Sequence, residues 1–423
     1  MILTLKLLVL FSLVVILGFT SSIIYDKTRI PDIIWLLLFG IFLGPIAHIY
    51  DPELFIRVSP LMSIIALCII LFDAGINVDL RLIISAFPRS ILLIALTYPL
   101  TMISIGLFLS YYFPSNFDLP KALLLGGMVG GTSTVTTIGI ISAIEKTGVA
   151  VDEAKTVLLL ESVLTDPISV ITCITLLKII MLSKVSLLVI VEDLLTSFIN
   201  SIIVGYVSGL IWSIILDKLK EKPLTYIVTL AVVFLVYVAS EEFGGEGSGA
   251  LAVFIFSLVI ANFDYIVKTV GIKRKFEVNR KVLREFHREI TFLIKSFFFT
   301  YIGLIASISL NYIILGSALV IIILIDRLIS ASIASSILKL SQLDKTIIET
   351  TVASGLPALV MSQLPMIYDP TRTHFQSPEI YPNLCFIIVI GTVLFGAIVT
   401  PLIAKRKASK IEGKATNTSK QIS

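Results

Sequence analysis

The chain has 423 residues, of which 57% are hydrophobic and only 15% charged, with a formal net charge of +4. Its mean hydropathy is +1.01. Soluble domains carry about 25% charged residues, and polar groups must cover their outside, so a soluble enzyme, a DNA-binding module and a disordered scaffold are excluded. Long apolar runs rather than period-two alternation leave a polytopic α-helical membrane protein.

A helical crossing needs about 20 apolar residues. Thirteen spans are predicted, near 5–23, 30–48, 58–75, 87–113, 119–145, 152–180, 185–216, 222–239, 247–262, 285–308, 313–334, 346–365 and 379–404. The first is expected to be a retained helix rather than a signal peptide, because no A-x-A-like cleavage site follows it. The polar tail 405–423 is expected to be disordered and cytoplasmic.

Lys and Arg set the orientation. With the N-terminus outside, 25 of the 33 Lys and Arg fall on inner loops and the tail and five on the outer side, while Lys178, Lys295 and Arg327 lie within spans. This predicts a multi-pass cell-membrane protein with its N-terminus outside and its C-terminus in the cytoplasm. The basic run 268–288 is read as an anchor on the inner face, with a lipid-binding or pH-sensing segment as the alternative. The acidic stretch Glu241-Glu242-Phe243-Gly244-Gly245-Glu246 is read as a solvated outer loop.

An offset of about 223 residues lays spans 1–6 onto spans 8–13, with span 7 as connector. An odd connector inverts the second unit, which is the plan of many secondary transporters. Spans 5 and 12 are expected to be broken at corresponding depths and to cross. Span 5 contains Gly126-Gly127-Met128-Val129-Gly130-Gly131-Thr132-Ser133-Thr134, a poor continuous helix. Span 12 contains Thr350-Thr351-Val352-Ala353-Ser354-Gly355-Leu356-Pro357, where Pro357 is expected to break the helix. Opposed dipole ends and free carbonyls at such a crossing can hold a small ion.

A carboxylate at the bilayer centre costs roughly 2.5–3.5 kcal/mol on insertion scales, so each one calls for a reason. In span 6, Glu161, Ser162, Thr165 and Asp166 are related by i+3 and i+4 and form one polar stripe. Asp73 lies near the inner end of span 3, and Asp326-Arg327 interrupt the apolar span 11. Arg327 needs a counter-charge, and Glu161 is the natural one if Asp166 is to stay free for a cation. Lys295 lies nearer the inner end of span 10 and can snorkel. The cysteines Cys68, Cys173 and Cys385 read as small apolar fillers, and His48, His287 and His374 lie near span ends or in loops. HExxH, GxSxG and GxxxxGK[ST] are absent, which argues against an embedded hydrolase or an ATP-driven pump. The chain is therefore read as neither an enzyme nor a cofactor-binding or nucleic-acid-binding protein.

These residues resemble the monovalent cation/proton antiporter superfamily, nearest its archaeal and bacterial sodium/proton exchanger branch. Glu161-Ser162-x-x-Thr165-Asp166-Pro167 resembles the family's Glu-Ser-x-x-Asn-Asp motif, whose aspartate binds the ion and the proton. Thr132-Ser133 resembles its unwound Thr-Asp stretch, Leu71-Phe72-Asp73-Ala74-Gly75 its Leu-Phe-Glu-Gly-Gly, and Arg327 the arginine that the family pairs with the helix-6 glutamate, here Glu161. The resemblance implies one transporter domain over 1–404, an interface bundle of spans 1–3 and 7–10, a core bundle of spans 4–6 and 11–13, and a homodimer in membrane lipid. It implies ion and proton binding by Asp166, Thr165, Ser162, Thr132, Ser133 and Asp73, with Na⁺ held at Asp166, Thr132, Ser162 and Asp73, and a structural pair of Glu161 with Arg327. The expected activity is electroneutral exchange of Na⁺, or alternatively Li⁺ or K⁺, for H⁺ by alternating access. Thr165 and Ser133 replace the family's asparagine and aspartate, which bears on which cation is carried. A gated cation channel and a sodium-coupled solute symporter are the competing readings; clustering of the polar groups at one depth favours alternating access over a continuous pore.

Overall fold

The computed structural model describes residues 2–28, 31–50, 59–182, 187–219, 222, 224–245, 248–269, 271, 280–306 and 309–422. Arg29, Arg57, Lys184, Lys220, Glu246 and residues 272–279 of the basic run therefore lie outside the described residues. Among the described residues the fold is all helical. The chain forms α1 (Ile2–Thr28), α2 (Asp32–Ile41, closing in a π-turn at Phe42–Ile46), α3 (Ser59–Ile76), α4 (Leu80–Tyr112), α5 (Leu119–Val129), α6 (Thr134–Glu145), α7 (Asp152–Leu182), α8 (Leu187–Lys218), α9 (Thr225–Gly244), α10 (Ser248–Ala261), α11 (Phe263–Thr269), α12 (Arg280–Ile305), α13 (Leu310–Ile337), α14 (Gln342–Thr350), α15 (Leu356–Met361), α16 (Leu364–Tyr368) and α17 (Ile380–Ile422). Seven of the described helices are long and apolar enough to cross a membrane, or eight if α10 and α11, bent by 75° at their junction, count as one span.

Local chemistry explains several boundaries. Asp79 accepts from the Arg81 N–H at 2.9 Å to start α4, Asp118 accepts from the Lys121 N–H at 3.0 Å to start α5, and Ser341 accepts from the Asp344 N–H at 3.0 Å to start α14. Asp344 also accepts from the Ala154 N–H at 3.1 Å, which ties the beginning of α14 to that of α7. Pro45 lies in the π-turn, the usual response when a proline interrupts the i−4 ladder.

The helices α4–α7 pack with α13–α15 and α17, whereas α1–α3 pack chiefly with α9, α10 and α12, and α8 joins that second group through α9 and α10. Small residues let backbones touch: a Cβ on Gly40 of α2 would lie 2.1 Å from the Thr300 carbonyl oxygen of α12, and one on Gly303 would lie 2.2 Å from the Leu37 oxygen. The three cysteines are buried and unpaired with one another.

Both expected breaks are present, and they touch. Residues 130–133 separate α5 from α6, and residues 351–355 separate α14 from α15. The Ser133 N–H donates to the Ala353 carbonyl at 2.7 Å, and the Ser354 hydroxyl donates to the Val129 carbonyl at 2.9 Å across 225 residues of sequence.

Several boundaries differ from the sequence reading. Pro357 does not break a helix; it stands in the first turn of α15, where no i−4 bond is required of it, and the break precedes it. Glu241 is not a solvated loop residue, since α9 runs on to Gly244 and Glu241 accepts from the Gly249 N–H at 2.9 Å at the start of α10. α12 begins at Arg280, and within the basic run Arg284 donates to the Ile76 carbonyl at 3.1 Å, capping the C-terminus of α3. The tail continues α17 as helix through Ile422.

Candidate ion-binding site

Asp166 lies midway along α7, beside the crossing, with 4% of its surface exposed. It lines a cavity of about 260 Å³. Asp73 and Asn77 of α3, Asp79 of the α3–α4 turn, Ser133 and Thr134 at the start of α6, Lys155 and Thr156 of α7, and Thr291 of α12 supply its polar wall. The cavity thus runs from the crossing toward the end of the molecule that carries the α3–α4 turn and the beginning of α7. It is lined by residues of both groups of helices. Asn77 donates to the Asp73 side chain at 3.2 Å and to its backbone carbonyl at 2.8 Å.

The polar stripe of α7 divides by function. Glu161 takes Arg327 of α13 as its partner in a two-pronged ion pair, Nη2 to Oε2 at 2.9 Å and Nη1 to Oε1, with both side chains almost completely buried. Nε of Arg327 donates to the Ile348 carbonyl of α14 at 2.9 Å, so one guanidinium joins three helices. Arg327 does not turn to its neighbour Asp326, whose Oδ1 accepts from Ser104 of α4 at 3.1 Å. Asp166 forms no ion pair among the described residues; the Thr134 hydroxyl donates to its Oδ2 at 3.4 Å.

Thr165 holds the break in place. Its hydroxyl accepts from the Thr132 N–H at 3.2 Å and lies 3.5 Å from the Thr132 hydroxyl. The Ser162 hydroxyl donates to the Leu159 carbonyl of its own helix at 2.9 Å. Thr132 faces a separate, water-sized space of about 10 Å³ behind the crossing, together with Thr97, Thr101, Ser354 and Arg327. Of the six binding residues expected from sequence, Asp166, Asp73 and Ser133 share the large cavity. Thr132 and Thr165 meet at the break beside it, and Ser162 lies about one turn before Thr165 on α7 with its hydroxyl turned into its own helix.

Sequence reasoning passed over Thr134, Asn77 and Thr291 on the cavity wall; the run of hydroxyls through 132–137 was the available signal for the first. His287, near a span end by sequence, is 1% exposed, and its ring packs 4.4 Å from that of Phe72, the residue before Asp73. Among the described residues, Lys295 and Arg288 of α12 are cations near Asp73.

Residues 9–405 match the family described as sodium/hydrogen exchanger, transmembrane. The chain belongs to this family. Within the exchanger family it is 24% identical over 311 residues to Na(+)/H(+) antiporter 1 of Methanocaldococcus jannaschii, a match covering 72% of this chain and 70% of that protein. It is 24% identical over 259 residues to sodium/hydrogen exchanger 8 of Arabidopsis thaliana, covering 59% of this chain and 34% of the plant protein. This chain therefore spans about a third of that plant exchanger's length. Its fold is similar to that of the sodium proton antiporter MjNhaP1 from Methanocaldococcus jannaschii at pH 8, with a TM-score of 0.79 and 21% identity over 97% of this chain and 99% of the other. Ser133 lies in the α5–α6 break, and Thr165 of α7 bonds to Thr132 of the same break.

Proposed function

We propose that the protein exchanges Na⁺ for H⁺ across a cell membrane by alternating access, with Asp166 as the carboxylate that holds either ion. The observation that carries this reading is the placement of Asp166: almost fully buried, with no counter-cation among the described residues, on the wall of a cavity beside two touching helix breaks. A carboxylate in that setting is stable only when neutralised. A proton and a cation are the two available neutralising groups, and competition between them couples their fluxes. Asp73 across the cavity and the hydroxyl oxygens of Ser133 and Thr134 on its wall supply hard oxygen ligands suited to Na⁺, with Thr132 and Thr165 holding the break beside them. The Glu161–Arg327 pair cancels the neighbouring charge and leaves Asp166 as the exchangeable one, which favours electroneutral one-for-one exchange.

In this reading the chain crosses the membrane thirteen times, with its N-terminus outside and its C-terminus in the cytoplasm, the orientation supported by the Lys and Arg distribution. The cavity then opens to the cytoplasm. Spans 4–6 and 11–13 form the moving core and spans 1–3 and 7–10 the bundle through which two copies form a homodimer; the packing of the helices into two groups supports this division.

Reconstitution into vesicles with a pH dye inside tests the proposal. Added Na⁺, Li⁺ or K⁺ should trigger proton movement without any organic solute and with little dependence on a clamped membrane potential. Cation flux uncoupled from protons would point to a channel, and a requirement for a solute to a symporter.

A further inference from the structure

Thr134 is the first residue of α6, directly after the break. A threonine inside a helix commonly spends its hydroxyl on the i−4 carbonyl; Thr175 does so to Ile171 at 2.8 Å, Thr346 to Gln342 at 2.9 Å and Thr392 to Ile388 at 2.8 Å. At the first position of a helix there is no preceding turn to accept that bond. The Thr134 hydroxyl is therefore free to leave its own helix, and it reaches Oδ2 of Asp166 at 3.4 Å. Its backbone is fixed from behind, because the preceding Ser133 is tied through its N–H to Ala353 and its carbonyl accepts from the Thr137 N–H at 2.9 Å.

We propose that Thr134 is the positioning residue that sets the competition between proton and cation at Asp166, its hydroxyl hydrogen-bonding to the ionised carboxylate and so favouring the cation-loaded form. The inference rests on Asp166 being the exchanged carboxylate. A donor to the charged form favours that form over the protonated one. The hydroxyl also has lone pairs to turn toward a cation or an Asp166 O–H, so it can follow the carboxylate through all three states. Among the described residues, the other charged groups around Asp166 are Asp73 of α3, Asp79 of the α3–α4 turn and Lys155 of α7 on the cavity wall, Arg288 and Lys295 of α12 near Asp73, and the mutually neutralised Glu161 and Arg327. From α6 and α15 the cavity wall receives only hydroxyl and apolar groups. None of these groups changes when Thr134 does.

The experiment is Na⁺-driven proton movement in vesicles across a pH series for wild type, Thr134→Val, Thr134→Ser and Asp166→Asn. It is paired with the Na⁺ midpoint for thermal stabilisation of the purified proteins, which needs no transport. Loss of one hydrogen bond to the carboxylate should move the acid limb of the Thr134→Val profile alkaline by about half to one pH unit. The apparent KM and the Na⁺ midpoint should rise about three- to tenfold on that limb, and Thr134→Ser should restore both. If Thr134→Val does not accumulate, Thr134→Ala carries the same expectation. Superimposable profiles and midpoints for the valine or alanine variant and wild type, with Asp166→Asn inactive, overturn the role of Thr134 and leave Asp166 in place. Exchange surviving in Asp166→Asn overturns the reading beneath it.

Discussion

Glu161 and Arg327 join α7 to α13 as a buried two-pronged ion pair, and the same guanidinium reaches a carbonyl of α14. Removing one member of such a pair strands the other charge. Arg327→Ala is expected to cost about 3–5 kcal/mol of stability, and adding Glu161→Ala should cost little more. A double-mutant cycle on thermal unfolding in detergent measures this; additive losses would mean that the two side chains are energetically independent.

Asp166 is expected to be needed for exchange and not for folding. Asp166→Asn keeps the volume and removes the exchangeable charge, so the variant should accumulate and melt like wild type while Na⁺-triggered proton movement falls to the level of empty vesicles. Robust proton flux in that variant would assign the chemistry to another carboxylate, with Asp73 the first to examine.

The contact between the two breaks predicts a steric pair. A Cβ on Gly355 would lie 2.1 Å from the Cβ of Ser133, with backbone bonds on either side holding both strands in place. Gly355→Ala should spread the crossing, weaken Na⁺ binding and lower the melting temperature. Ser133→Gly removes the opposing atoms, so the double variant should recover stability relative to Gly355→Ala alone. Equal stability of the two would show that the crossing yields elsewhere.

The loop after α16 predicts a pH dependence of stability away from the ion site. Burial alone would raise the Asp369 carboxyl, but donors outweigh it: the Phe375 and His374 N–H groups at 2.8 and 2.7 Å, the Thr373 N–H at 3.0 Å and the Thr371 hydroxyl at 3.2 Å hold it below the usual carboxylate value. A depressed carboxylate contributes stability that is complete above its unfolded value, about 3.9, and is lost as pH falls through the folded one. Wild type should therefore exceed Asp369→Asn in melting temperature at pH 7, and the difference should shrink toward pH 3. A gap that does not change with pH would remove the ionised carboxylate from the account.

Much of this protein was legible in its sequence because a bilayer penalises polar groups so heavily. The apolar runs gave the helices, the Gly-rich stretch of span 5 and the small-residue stretch of span 12 gave the two breaks, although Pro357 itself starts a helix rather than ending one, and the i+3 and i+4 spacing from Glu161 to Asp166 gave one polar stripe. The need of Arg327 for a counter-charge gave its partner. Each of these follows from a short-range rule that acts on a single segment or on a single unpaired charge.

Only the tertiary structure decided which oxygens face the same space. Ser162 and Asp166 share a stripe, yet the Ser162 hydroxyl turns back to Leu159 while Asp166 faces Thr134. Thr132 and Ser133 are neighbours in sequence, yet they line different cavities. Thr134, Thr291 and the buried His287 acquire meaning only when α6 and α12 are brought against α7 and α3. The physical reason is that a hydroxyl has several partners of similar energy within reach, and which one it takes depends on where an unwound backbone and a facing helix leave it.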